Sequence, residues 1–186
     1  MEWEPLPEIV PPAGAEACDR CELSGQRNRV IWAEGDENAP MLLLLDNPGA
    51  RELPTGESFV CGTRQTLRQA LQGAGVSEGE VYVTWVLKCR PRRAYDKPAC
   101  RSACRPYLGV QAAGRRVVVC LGNTALQAYL QDPSADVKAL RGRLLPGVPG
   151  PAVVCSYHPL AVRRRPNLYP MLVADLQLAA NFSRPS

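Results

Sequence analysis

Residues 81–91 read VYVTWVLKCRP, from Val81 to Pro91, and the remaining segments arrange themselves around this stretch. Val81, Tyr82, Val83, Val86 and Leu87 are β-branched, aromatic or aliphatic, the composition of a strand covered on both faces in a parallel sheet. Lys88, Cys89 and Arg90 interrupt the run, and Pro91, which has no amide proton for a sheet ladder, ends it. Cys89 is thereby predicted at the carboxyl end of a buried strand, the edge where open α/β sheets collect their ligands. A ligand pocket and a metal site can share that edge.

Working outward, Met41 to Leu45 is an apolar run too short for a helix, and Asp46, Asn47, Pro48 and Gly49 stop it with turn chemistry. Thr63 to Ala74 places Leu67, Ala70, Leu71 and Ala74 at helical spacing, with Gly73 and Gly75 as stop signals. Pro98 opens a second helix, which carries Cys100, Cys104, Leu108 and Gln111 along related faces. Arg116 to Leu121 is a third strand, followed by a turn at Gly122 and a helix through Leu130 that Asn123 is expected to cap. Ala152 to Cys155 is a fourth strand, leading into Ser156, Tyr157, His158 and Pro159, and Met171 to Ala180 forms a closing helix. Strands alternating with helices imply a parallel sheet with helices on both faces. Residues 1–16, rich in proline and without periodicity, read as an extended arm, 17–182 as a single domain, and 183–186 as a tail.

The chain has 186 residues, enough for one domain to bury a core without covalent staples. Its net charge of +4 and its pI near 8.7 permit a polyanionic partner but fall short of a strongly basic nucleic-acid protein. No apolar run approaches the ~20 residues of a membrane span, and the acidic, proline-rich start does not resemble a signal peptide, so a cytoplasmic location without membrane contact is expected. In that reducing compartment, eight cysteines argue for metal or redox chemistry before disulfides. Cys18 and Cys21 form a C-x-x-C, while Cys89 and Cys104 lie further on, so four thiolates can converge on one metal centre. The spacing leaves zinc and iron–sulfur equally open. Cys120 and Cys155 fall inside apolar strands and read as small core residues, whereas Cys61 and Cys100 have no clear assignment.

Taken in order, the chain presents C-x-x-C, a strand ending in DNPGARE, G-x-x-F-V at Gly56 to Val60, K-C-R-P, C-x-P-Y-L at Cys104 to Leu108, V-V-x-L-G, Arg141-Gly142 and Tyr157-His158-Pro159. This order and spacing resemble the iron–sulfur uracil-DNA glycosylases of type four, within the uracil-DNA glycosylase superfamily, and cover nearly the whole chain after the arm. The resemblance implies a three-layer α/β/α fold around a four-stranded parallel sheet. It also implies a [4Fe-4S] cluster held by Cys18, Cys21, Cys89 and Cys104, and DNA, single-stranded or as damaged duplex, as the partner of a monomer.

Base excision explains why such residues are needed. A base inside a duplex must flip into a pocket at a cost of a few kcal/mol. Breaking the N-glycosidic bond then leaves an oxocarbenium-like sugar and a base anion, which call for a donor at the base oxygen and a positioned water. The resemblance assigns the donor to His158, the only histidine in the chain. In the first turn, Asp46 keeps the carboxylate of the type-four pattern, while Asn47 matches the asparagine of the mismatch-specific branch. Either can orient water, or both can simply make an Asx-type turn before Pro48. Glu52 matches an acidic family position, and Phe59 matches the aromatic that stacks on the flipped base.

The largest departure is Trp85, which stands where the family carries the asparagine that reads the uracil edge. Tryptophan offers one N–H in place of a donor and an acceptor, so a pocket changed in this way is expected to read uracil poorly. After His158, the segment LAVRRRPN occupies the position of a DNA-penetrating loop. Leu160 or Val162 is expected to wedge into the duplex, and Arg163, Arg164 and Arg165 to neutralise phosphates. Two functions are compatible with these residues: a glycosylase acting on uracil or another deaminated base, and a catalytically weak or inactive iron–sulfur DNA-binding paralogue.

Overall fold

The computed structural model describes residues 6–49, 62–147 and 150–185. Six strands follow in chain order: β1 (Glu8–Ile9), β2 (Ala33–Gly35), β3 (Met41–Leu45), β4 (Val81–Trp85), β5 (Val117–Leu121) and β6 (Ala152–Ser156). The helices are α1 (Thr63–Gly73), α2 (Lys97–Ala112), α3 (Asn123–Leu130), α4 (Val137–Leu140), α5 (Pro159–Arg164) and α6 (Tyr169–Ser183).

The strands form one sheet in the order β1-β2-β4-β3-β5-β6. Its centre is the expected four-stranded parallel unit, with Leu45 beside Trp85, Met41 beside Val117, and Cys120 beside Cys155. Two short strands extend it beyond β4, both antiparallel to their neighbours. They come from sequence expected to carry no sheet. The segment 1–16 supplies β1 and buries Leu6, Ile9 and Ala15, so its described part belongs to the domain. Two-residue and three-residue strands are too short for alternation to reveal them, and only pairing with β4 makes them strands.

The period of two sorts the strand residues between two helical layers. Met41, Leu43, Leu45, Val81, Val83 and Trp85 pack with the apolar faces of α1 and α6. Leu42, Leu44, Tyr82, Val118 and Cys120 pack with Leu108 of α2 and with Ala125 and Leu126 of α3. Each fully buried leucine contributes about 1.5–3 kcal/mol by leaving water. The result is three layers, α/β/α. A buried ion pair between Arg64 of α1 and Glu34 of β2 ties the first layer to the added edge.

Two helix starts show how local and distant partners divide the capping. The Asp96 side chain caps α2 by accepting from the Ala99 N–H at 3.0 Å, and Pro98 sits in the first turn as expected. Asn123, expected to cap α3, lies inside it. Gly122 is the cap residue there, and the Asn123 Oδ1 instead accepts from the Val137 N–H at 2.9 Å, fastening the start of α4.

Candidate active site at the carboxyl ends of the strands

The parallel strands β3, β5 and β6 release Asp46, Gly122 and His158 at the same edge of the sheet, where they line one cavity of about 490 Å³ with Leu160, Arg164 and Arg165. Asp46 is held through its main chain: its carbonyl accepts from the Leu87 N–H at 3.1 Å, continuing the β3–β4 pairing past the strand ends. Its Oδ1 is buried and has no hydrogen-bond partner among the described residues. Burial raises the Asp46 carboxyl above its ordinary pKa, and the cations of Arg101 and Lys97 on α2 oppose that rise. The neighbouring Asn47 is differently engaged. Its Nδ2 donates to the Pro48 carbonyl at 3.1 Å, so its amide stabilises the turn.

His158 is the N-cap of α5. Its Nδ1 accepts from the Leu160 N–H at 3.1 Å, which leaves the proton of the neutral ring on Nε2. Burial pushes its pKa down to about 4, so the ring is neutral at physiological pH. Nε2 makes no hydrogen bond among the described residues. Below the histidine, the carboxylate of Asp175 accepts from the Ser156 hydroxyl at 2.6 Å, from Arg141 Nε at 3.0 Å, and from the Gly142 N–H at 3.1 Å. One buried acid thus joins the end of β6 to the Arg141-Gly142 turn. Sequence reasoning missed Asp175, although an aspartate three residues after Leu172 on the apolar stripe of α6 is a readable signal.

The basic segment after His158 is not a loop. Residues 159–164 form α5, because Pro159 suits a first helical turn and His158 caps it. Leu160 remains 38% exposed and can serve as a wedge, whereas Val162 is buried in the core and cannot. Arg164 and Arg165 line the cavity, while the Arg163 guanidinium lies by Gly62 at the start of α1. Glu52 and Phe59 fall outside the described residues.

Trp85, which matches the family's base-reading position, is enclosed. It is 1% exposed, is not among the described residues lining the cavity, and packs within the apolar cluster under α1 with the Arg64 guanidinium 5.5 Å from its ring centroid. Its register with Leu45 turns the indole toward that helix layer, whereas the cavity opens beyond the strand ends.

Cys18, Cys21, Cys89 and Cys104 line a second, enclosed chamber together with Lys88 and Arg27. No disulfide joins the seven cysteines among the described residues. Burial pushes the Cys89 thiol up to about 11. Among the described residues no group of three or more His, Cys, Asp or Glu side chains is placed to hold a metal ion. Lys88 is 1% exposed and places its ammonium on Thr84 Oγ1 at 2.7 Å and on the Trp85 carbonyl at 2.5 Å. Burial pushes its pKa down to about 7, and the charge of Cys104 opposes that shift.

The fold is that of a DNA glycosylase. The chain belongs to the uracil DNA glycosylase superfamily, whose sequence model matches residues 32–177. It is 31% identical over 191 positions to a type-4 uracil-DNA glycosylase of Pyrobaculum aerophilum, covering 96% of this chain and 93% of the relative. It is 29% identical over 184 positions to the type-4 uracil-DNA glycosylase of Thermotoga maritima, covering 96% and 95%. Against that of Archaeoglobus fulgidus it is 30% identical over 161 positions, covering 82% and 81%.

Proposed function

We propose that this base-excision repair glycosylase hydrolyses the N-glycosidic bond of uracil or another deaminated base, with His158 as the donor to the departing base and Asp46 as the holder of the attacking water. The observation that carries this reading is that one cavity is lined both by His158, whose Nδ1 is taken by the Leu160 N–H, and by Asp46, whose buried Oδ1 has no partner among the described residues. The bond's electron pair leaves with the base, and negative charge grows on its oxygen. A neutral Nε2–H stabilises that charge without having to give up a proton. Water held by the Asp46 carboxylate adds to the sugar carbon and passes a proton to that carboxylate, leaving an abasic sugar and a base anion that takes its proton from solvent. Between the two turn residues, the geometry favours Asp46, because its Oδ1 is buried without a partner and it lines the cavity, whereas Asn47 uses its Nδ2 to brace the turn at Pro48.

The thiol chamber suits a [4Fe-4S] cluster held by Cys18, Cys21, Cys89 and Cys104. Four thiols lining one enclosed chamber, together with the order of cysteines shared with the resembled family, suit an anionic cluster. Such a cluster would supply cross-linking, tying the Cys18–Cys21 segment to the end of β4 and to α2. DNA would lie across α5, with Leu160 as wedge and Arg163, Arg164 and Arg165 on phosphates. No helix among the described residues is long and apolar enough to cross a membrane, and a cytoplasmic monomer fits this role.

Excision assays on single-stranded and mismatched DNA carrying uracil, hypoxanthine or xanthine test the reading, with His158→Ala as the control and iron and sulfide measured on the same protein. Release of at least one base, lost in folded His158→Ala, is expected. DNA binding without release of any of these bases would instead favour the inactive paralogue, and stoichiometric zinc without iron would overturn the cluster.

A further inference from the structure

The segment between β4 and α2 is basic, and its backbone is held in place. Residues 90–97 read RPRRAYDK, four cations with Asp96 as the single acid. The buried Gln26 accepts from both the Arg92 N–H and the Arg93 N–H through one Oε1, at 3.0 Å each, and Glu22 accepts from the Asp96 N–H at 2.5 Å. Asp96 caps α2 with its own carboxylate. The acids nearest the segment are thus engaged by backbone amides, while the Arg92 guanidinium donates to the neutral amide oxygen of Asn28. Arg92, Arg93 and Lys97 are exposed and form no ion pair among the described residues, whereas Arg29, Arg64, Arg141 and Arg184 each face a carboxylate. Three unneutralised cations on a fixed backbone make a surface for a polyanion.

The sheet decides where that surface lies. The Leu87 N–H donates to the Asp46 carbonyl at 3.1 Å, so the chain leaves β4 beside the exit of β3. In the strand order β4-β3-β5-β6, Asp46 falls between this exit and that of β6, which leads into α5. Three strand spacings of about 4.8 Å separate the two outer exits by roughly 14 Å. At about 3.4 Å of rise per phosphate, that is the span of about four nucleotides of one strand. A strand whose target nucleotide enters the cavity therefore passes α5 on one side and residues 90–97 on the other.

We propose that residues 90–97 form a second DNA-backbone contact, in which Arg92, Arg93 and Lys97 bind phosphates on the side of the flipped nucleotide opposite to α5; this rests on the cavity of His158 and Asp46 being the base pocket. Cations on α5 alone hold the strand from one flank. Cations on both flanks fix which nucleotide stands over the cavity.

Anisotropy titrations test this with single-stranded oligonucleotides that carry one tetrahydrofuran abasic-site analogue, either long on both flanks or trimmed close to the analogue on the 5′ or the 3′ side. Wild type is compared with a triple variant, Arg92→Gln, Arg93→Gln and Lys97→Gln, and with an α5 variant, Arg164→Gln and Arg165→Gln. On the fully flanked strand the triple variant is expected to reduce the slope of log K against log salt by about 2.1, or about 0.7 for each lost phosphate contact. Trimming one flank should abolish the difference between the triple variant and wild type, and trimming the other should abolish the effect of the α5 variant. An unchanged slope on the fully flanked strand overturns the proposal while leaving the base pocket standing. A loss in the triple variant that survives either trim overturns it too, because the cations then act as diffuse charge. If the same trim removes both effects, the two segments share a flank and the opposite placement is overturned. Wild-type protein that binds the analogue strand no better than an unmodified one overturns the base-pocket reading, and the proposed register with it.

Discussion

Gly122 and His158 are packed so closely that a Cβ on Gly122 would lie 3.0 Å from the His158 Cβ. Gly122 also has φ +94, a conformation that side chains beyond hydrogen rarely adopt. The Gly122 N–H donates to the Ser156 carbonyl at 2.8 Å, so the β5 turn cannot retreat from the β6 exit without breaking the sheet edge. Gly122→Ala is therefore expected to displace the imidazole and lower kcat/KM for base release about 10-fold to 100-fold, or about 1.4–2.7 kcal/mol of transition-state stabilisation. Steady-state excision beside a melting curve checks this, and an alanine variant with wild-type kcat/KM would show that the contact does not position His158.

The depressed pKa of His158 makes a pH prediction with a definite sign. In the unfolded chain the ring takes up a proton below its ordinary value of 6.5, whereas in the folded protein it stays neutral until about 4. The unfolded state binds more protons throughout that window, so His158 stabilises the fold above 6.5 and that contribution is lost as pH falls toward 4. Melting temperatures of wild type and His158→Gln measured across this window should converge in acid, the wild type falling more steeply. Parallel curves would mean that the imidazole is not held neutral by the fold.

Arg164 and Arg165 line the same cavity as His158, so contacts there couple phosphate binding to base capture. Replacing both with alanine should weaken DNA affinity and reduce the slope of log K against log salt by about 1.4–1.8, as expected for two lost phosphate contacts. Titrations at three salt concentrations would reveal it. An unchanged slope would place both arginines in solvent.

Trp85 supports a prediction about packing. A side chain 1% exposed beneath α1 contributes mainly through volume and through its contact with Arg64. Trp85→Asn should cost about 3–5 kcal/mol of stability by opening a cavity and burying an amide, without a gain in uracil excision. Trp85→Phe should lose less. A folded Trp85→Asn protein that excises uracil faster than wild type would show that the position does reach the base.

Much of this molecule is written locally. The continuous apolar runs of β3, β4, β5 and β6, the helical spacing of Leu67, Ala70, Leu71 and Ala74, and the proline and glycine stops are relations between near neighbours in the chain. Local relations determine element type, and their alternation determines the parallel α/β/α class. The placement of Cys89 and His158 at strand exits follows in the same way. What the tertiary structure alone decided concerns partners distant in sequence. Glu8–Ile9 and Ala33–Gly35 are strands because β4 offers an open edge. Asn123 caps α4 and not its own helix because Asp136 and Val137 return to meet it. Trp85 packs on the α1 side because its register with Leu45 puts it on that face of the sheet, and Asp46 separates from Asn47 because only its carboxyl is enclosed without a partner. Sequence determines which residues alternate, but the direction a side chain faces depends on which strand and helix arrive beside it.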